Sequence, residues 1–128
     1  MNDEFAAALA DRPPGRFGHA DHVYVAWRLV REQGPARGSE LFTDGLRSLT
    51  EEHGQAAKYH ETLTEFWLAL VVHAVGLRPE LDDFEAFLEA FPLLRDSSLA
   101  RRHWSDDVLW SESARRRWLA PDLLPLGF

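Results

Sequence analysis

The chain contains no cysteine. Disulfides, thiolate metal ligands and a cysteine nucleophile are therefore excluded. Long hydrophobic runs are also absent. The longest, Phe66 to Val75, is about half the ~20 residues a membrane-spanning helix needs, and His73 interrupts it. Positive charge is scarce: 14 Lys and Arg stand against 21 Asp and Glu, a net charge of −7. A polyanion-binding protein needs a basic surface, so nucleic acid is not an expected partner. The cluster Arg115-Arg116-Arg117 is too short to reverse that. The segment Met1-Asn2-Asp3-Glu4-Phe5 lacks the basic start and apolar core of a signal peptide, so a cytoplasmic protein with no membrane association is expected. No G-x-G-x-x-G, P-loop, G-x-S-x-G or H-E-x-x-H is present, nor the E-x-x-H of di-iron bundles.

What is present is apolar and aromatic: 45% hydrophobic residues and five tryptophans in 128 residues. That composition supports one globular domain and opposes disorder. Every periodic segment reads as helix and none as strand. A short helix over 2–11 should end at Arg12-Pro13-Pro14-Gly15. A second, over about 19–33, carries Val23, Ala26, Trp27 and Val30 on one face, with His19 and His22 extending that face into the first turn. A third, over about 39–53, carries Phe42, Leu46 and Leu49, and His53 continues the stripe. A fourth, over about 59–76, has His60, Leu63, Thr64, Trp67, Leu68 and Val71 on one side and is apolar nearly all round in its second half. A fifth opens at Asp82-Asp83, with Glu85 in its first turn, and ends at Pro92. Ser98 and Ser105 cap short helices beyond, and the apolar tail from Pro121 to Phe128 should pack across the bundle. The expected fold is a single-domain all-α helical bundle over 1–128. Its core spans about 17–92 around a central apolar helix, with an irregular C-terminal part over 93–128.

Short connections make neighbouring helices antiparallel. The turns at 34–38 and 54–58 therefore send the second, third and fourth helices up, down and up. The starts of the second and fourth then share one end with the finish of the third. That end holds His19 and His22, then His53, then Tyr59, His60 and Glu61. Any one of these histidines is ordinarily a half-buried, hydrogen-bonded residue near a bundle end. Four together mark a pocket of convergent titratable groups.

Three chemistries fit the cluster. The first is a divalent metal (zinc, iron or manganese) on His19, His22 and His60, with oxygen from Asp21 or Glu61. Two helix N-termini pointing at the same space oppose a bare cation. The second is a small anionic ligand held by backbone amides and imidazoles. There His60 would act as general acid or base with His22, tuned by Glu61 or Asp21, while His19, His53, Tyr59 and Thr64 line the ligand. The third and weaker one is haem on a histidine, walled by tryptophans. The expected function is thus a small-molecule binding protein or small enzyme with a histidine-lined pocket. The alternative is a non-catalytic interaction module that uses Trp104, Trp110 or Trp118.

The set Phe17-x-His19-x-Asp21-His22, His53-Gly54, Tyr59-His60-Glu61-Thr62 and Pro121-Asp122-Leu123 resembles a family of small all-helical bacterial proteins. The resemblance spans about 17–125. It implies a helical fold and marks His19, His22, His53 and His60, and it implies no mechanism.

Overall fold

The segment before His19 explains why a helix starts there. Gly18 adopts an extended conformation, its N–H donates to the Asp21 carboxylate at 2.8 Å, and Asp21 lies three residues on. This half of a capping box satisfies a donor that would otherwise be orphaned. The helix it opens, α2 (His19–Gln33), has seven buried residues, with Val25 fully buried and Trp27 nearly so. It lies against α1 (Asp3–Ala10), α3 (Pro35–Glu52) and α4 (Glu61–Leu77). The computed structural model describes residues 1–128: these four helices, then α5 (Phe84–Ala90), α6 (Asp106–Leu109) and α7 (Glu112–Arg116), with three short 3-10 segments and no strand. The fold is all-α. No helix is long and apolar enough to cross a membrane.

Two boundaries differ from the sequence reading, and both have a local cause. α3 begins at Pro35, not near Ser39. Proline is well placed at the first helical position, where its missing N–H costs nothing. The connection to α2 is then a single residue, Gly34, with φ of 86°. Gly38, expected in a turn, lies inside α3 against the backbone of Leu29 and Val30, where a Cβ would come within 2.6 Å of the Leu29 carbonyl oxygen. Secondly, α4 starts at Glu61, and His60 is its cap.

The core is built from two clusters. The larger joins α1, α2, α3, one side of α4, and α5. Phe5 and Ala8 of α1 are fully buried in it, and Leu94 belongs to it too. It therefore extends past both ends of the expected 17–92 core. Phe5 lies directly over Gly45 of α3, the position at which the two helices approach. The smaller cluster gathers Phe66 of α4 with Leu99, Ala100, Trp104 and Leu109 of the C-terminal part. α4 runs between the two: Leu68, Val71 and Ala74 face the first cluster and Phe66 the second. A helix packed on both sides has no polar face, which accounts for the nearly unbroken apolar run.

The C-terminal part is secured by single polar residues. Thr62 is fully buried, and its hydroxyl donates to the Arg117 carbonyl (2.8 Å) and accepts from Leu119 N–H (3.2 Å). Trp104 Nε1 donates to the Leu119 carbonyl (2.9 Å), and Leu123 N–H donates to that of His103 (2.9 Å). The tail does cross α4, where Phe128 stacks on His73 (4.5 Å), yet Leu123, Leu124 and Phe128 stay exposed.

Candidate functional site

At the end where α2 and α4 start and α3 finishes, the structure encloses a cavity of about 1190 Å³. His19, His22, His53 and His60 all line it, together with Tyr59 and Thr64. Its apolar surface includes Phe42, Leu46, Leu49, Leu63, Trp67 and Val71. Six of the eight expected site residues are thus brought together. Asp21 and Glu61 are not among the lining residues.

The four histidines have different environments. His60 has none of its ring chemistry to spare. Its Nδ1 accepts from Leu63 N–H (3.1 Å), and its Nε2 donates to the Leu109 carbonyl (2.6 Å). That pair of bonds fixes the neutral tautomer with the proton on Nε2. Burial pushes its pKa down, and the Arg115 charge lowers it further. The ring is an N-cap for α4 and a tie to the C-terminal wall. The assignment of His60 as general acid or base is corrected accordingly, since both nitrogens already bond to backbone. Thr64 is occupied in the same way: its hydroxyl donates to the His60 carbonyl (2.8 Å).

His22 is the opposite case. Its Nδ1 donates to the Gly18 carbonyl at 2.8 Å, which leaves Nε2 unprotonated and without a hydrogen bond inside the protein. Phe17 stacks on the ring at 4.1 Å. Burial holds the pKa below the usual histidine value, and the neighbouring His19 adds to this. His22 is therefore a neutral imidazole with an acceptor nitrogen free at the cavity. His19 donates Nε2 to the Leu94 carbonyl (2.8 Å) and meets Trp67 edge-on (4.5 Å). His53 is the exposed C-cap residue of α3, at the rim.

The two carboxylates face elsewhere. Asp21 spends one oxygen on Gly18 N–H and the other on Arg12 Nε (2.5 Å). Burial alone would raise its pKa, but Arg12 and the Gly18 N–H outweigh this and hold it low. Glu61 accepts from the Tyr59 hydroxyl (2.7 Å) and from Arg47 (2.8 Å), whose guanidinium lies over the Tyr59 ring. Tyr59 thus lines the cavity while its hydroxyl is turned to Glu61. Burial and that carboxylate push its pKa well above the ordinary tyrosine value. Asp21 and Glu61 were expected to tune the histidines or bind a metal. Both anchor helix starts, because each lies in a first turn next to an arginine, and Asp21 also acts on His22, its charge opposing the downward shift that burial imposes on that imidazole.

No group of three or more histidine, aspartate or glutamate side chains is placed to hold a metal ion. His60 has both ring nitrogens bonded to backbone and so cannot join such a site, whereas His19 and His22 each keep one nitrogen unbonded. Sequence reasoning also missed the cationic lining residues Arg12, Arg16 and Lys58. Arg16 and Lys58 flank the histidine motifs, and that adjacency was the available signal.

No family model, curated protein or solved structure matches the chain, so the resemblance drawn from its motifs rests on those residues alone.

Proposed function

We propose that the protein binds a small molecule in this cavity, with His22 as the side chain equipped to exchange a proton with it or accept a hydrogen bond from it. One observation carries the reading: a neutral imidazole at the cavity wall, fixed by the Gly18 carbonyl, with Nε2 unpartnered. Catalytic bases are commonly oriented by such a second hydrogen bond. A large, mostly apolar cavity with a few convergent polar groups is also the usual form of a ligand site. A metal held by His60 is not part of the reading, because both ring nitrogens of that residue are bonded to backbone.

The test uses a neutral fluorescent probe, N-phenyl-naphthylamine. Its emission should rise on binding, and Leu49→Trp or Thr50→Trp, which narrow the cavity from α3, should abolish the rise while the helical circular dichroism persists. Ring-nitrogen NMR should show His22 as the Nδ1–H tautomer at pH 7, with the Nε2 resonance moving on probe saturation. A His22 spectrum unchanged by the probe, or binding insensitive to both tryptophan variants, would remove the proposal.

A second reading, docking of a partner protein, is favoured by the exposed apolar side chains of the C-terminal part: Trp110 is 44% exposed, Trp118 37% and Leu123 59%. Tryptophan is a frequent interface anchor. On that reading probe binding would be lost in Trp118→Ala and kept in the cavity variants.

A further inference from the structure

The charge around the cavity is the reverse of the charge on the chain. Of 21 acidic residues, not one lines it, whereas Arg12, Arg16, Lys58 and Arg101 all do. Two of these four cations are committed. Arg12 is paired with Asp21, and Arg101 lies 3.6 Å from Asp106. Arg16 and Lys58 are exposed at the rim and take part in no salt bridge. Arg16 approaches the start of α2, with its Nε 3.9 Å from the position a Gly18 Cβ would occupy. The carboxylate behind that wall, Asp21, is paired with Arg12 and the Gly18 N–H. Lys58 lies two residues before the cap of α4. Each cation therefore sits beside a helix start, whose own dipole adds to the positive field. Deeper in, the walls are Phe42, Leu46, Leu63, Trp67 and Val71. An apolar interior under a cationic rim matches a molecule with the complementary division.

We propose that the cavity takes an amphipathic organic anion, its apolar body against the α3 and α4 side chains and its anionic head at Arg16 and Lys58. This rests on the cavity being a ligand site. It adds the ligand's charge and the two residues that select it. His22 is left free to accept a hydrogen bond from a hydroxyl or N–H further along the ligand.

Octanoate, octyl sulfate, octanol and octylammonium have the same apolar chain and differ only at the head. Each is titrated against bound N-phenyl-naphthylamine, and octanoate also directly by calorimetry. Octanoate and octyl sulfate should displace the probe at concentrations roughly tenfold below octanol, and octylammonium should be weaker than octanol. Arg16→Ala combined with Lys58→Ala should weaken octanoate by roughly threefold to tenfold and leave octanol within about twofold. Both residues are exposed and unpaired, so folding is unaffected and the probe reports it directly. Raising salt should weaken octanoate and not octanol. Probe binding with octanol equal to octanoate, or with octylammonium tighter, overturns this inference and leaves the cavity reading standing. So does an equal loss of octanoate and octanol in the double variant. Absence of both probe binding and octanoate heat overturns the two together.

Discussion

At the scale of single residues, the structure separates histidines that look alike in sequence. His60 is 6% exposed with both ring nitrogens bonded to backbone, whereas His53 is an exposed cap. Truncating the first strands the Leu63 N–H and the Leu109 carbonyl. His60→Ala should therefore cost about 1–3 kcal/mol in urea unfolding, while His53→Ala should stay within about 0.5 kcal/mol. Equal effects would show that the assignment of roles is wrong. His60 also sets a pH dependence. Burial lowers its folded pKa below the ordinary 6.5, so the unfolded chain binds more protons just below that pH. Its contribution is fully present above about pH 6.5 and is lost as the pH falls from there toward the folded pKa. That loss should be smaller in His60→Ala. His22, with a pKa lowered in the same direction, supplies the part that remains.

At the scale of elements, hydrophobic periodicity located α2 to the residue, because its stripe and its Gly18 start coincide. It misplaced the start of α3 because Gly34-Pro35 reads as a stop, although proline suits a first helical turn equally well. It could not see which glycines stand at crossings. Gly45 is one: a Cβ there would lie 2.1 Å from Phe5 Cγ, and Phe5 is fully buried and cannot swing away. Alanine would gain up to about 1 kcal/mol of helix propensity, but overpacking costs about 1–3 kcal/mol. Gly45→Ala should thus be net destabilising and displace α1, seen as a lowered melting temperature and exchange-broadened Phe5 resonances. α4 bears a second strain, at Glu61 and Glu65, one turn apart. Burial and the Glu61 carboxylate push Glu65 up to about 7 from an ordinary 4.5. A raised carboxylate pKa means the folded state holds the extra proton, so stability is lost as pH rises through about 4.5–7. Glu65→Gln should stabilise by about 1 kcal/mol at pH 8, allowing for solvent screening, and by little at pH 5. Equal gains at both pH values would rule out the carboxylate pair as the cause.

At the scale of the whole molecule, the meeting of four histidines was legible because short loops force antiparallel neighbours and each histidine extends an apolar stripe. Which polar atoms would remain free was not legible. That depends on the carbonyls of Leu94 and Leu109, which come from the part of the chain with the least periodic signal. That part also closes the cavity through Leu109 and Trp110, so its attachment to α4 bears on binding. Thr62 is a principal fastening, holding Arg117 and Leu119 with one buried hydroxyl. Valine has nearly the same shape but offers neither donor nor acceptor. Thr62→Val should leave two backbone groups unsatisfied, a cost of about 1–3 kcal/mol. Because both bonds of the Thr62 hydroxyl run to Arg117 and Leu119, the loss should first appear locally. Hydrogen exchange at Leu119 N–H and proteolysis after Arg115 to Arg117 should accelerate, while amides of α2 and α3 keep their protection. Acceleration spread evenly over all helices would instead mean that the C-terminal part and the bundle unfold as one unit.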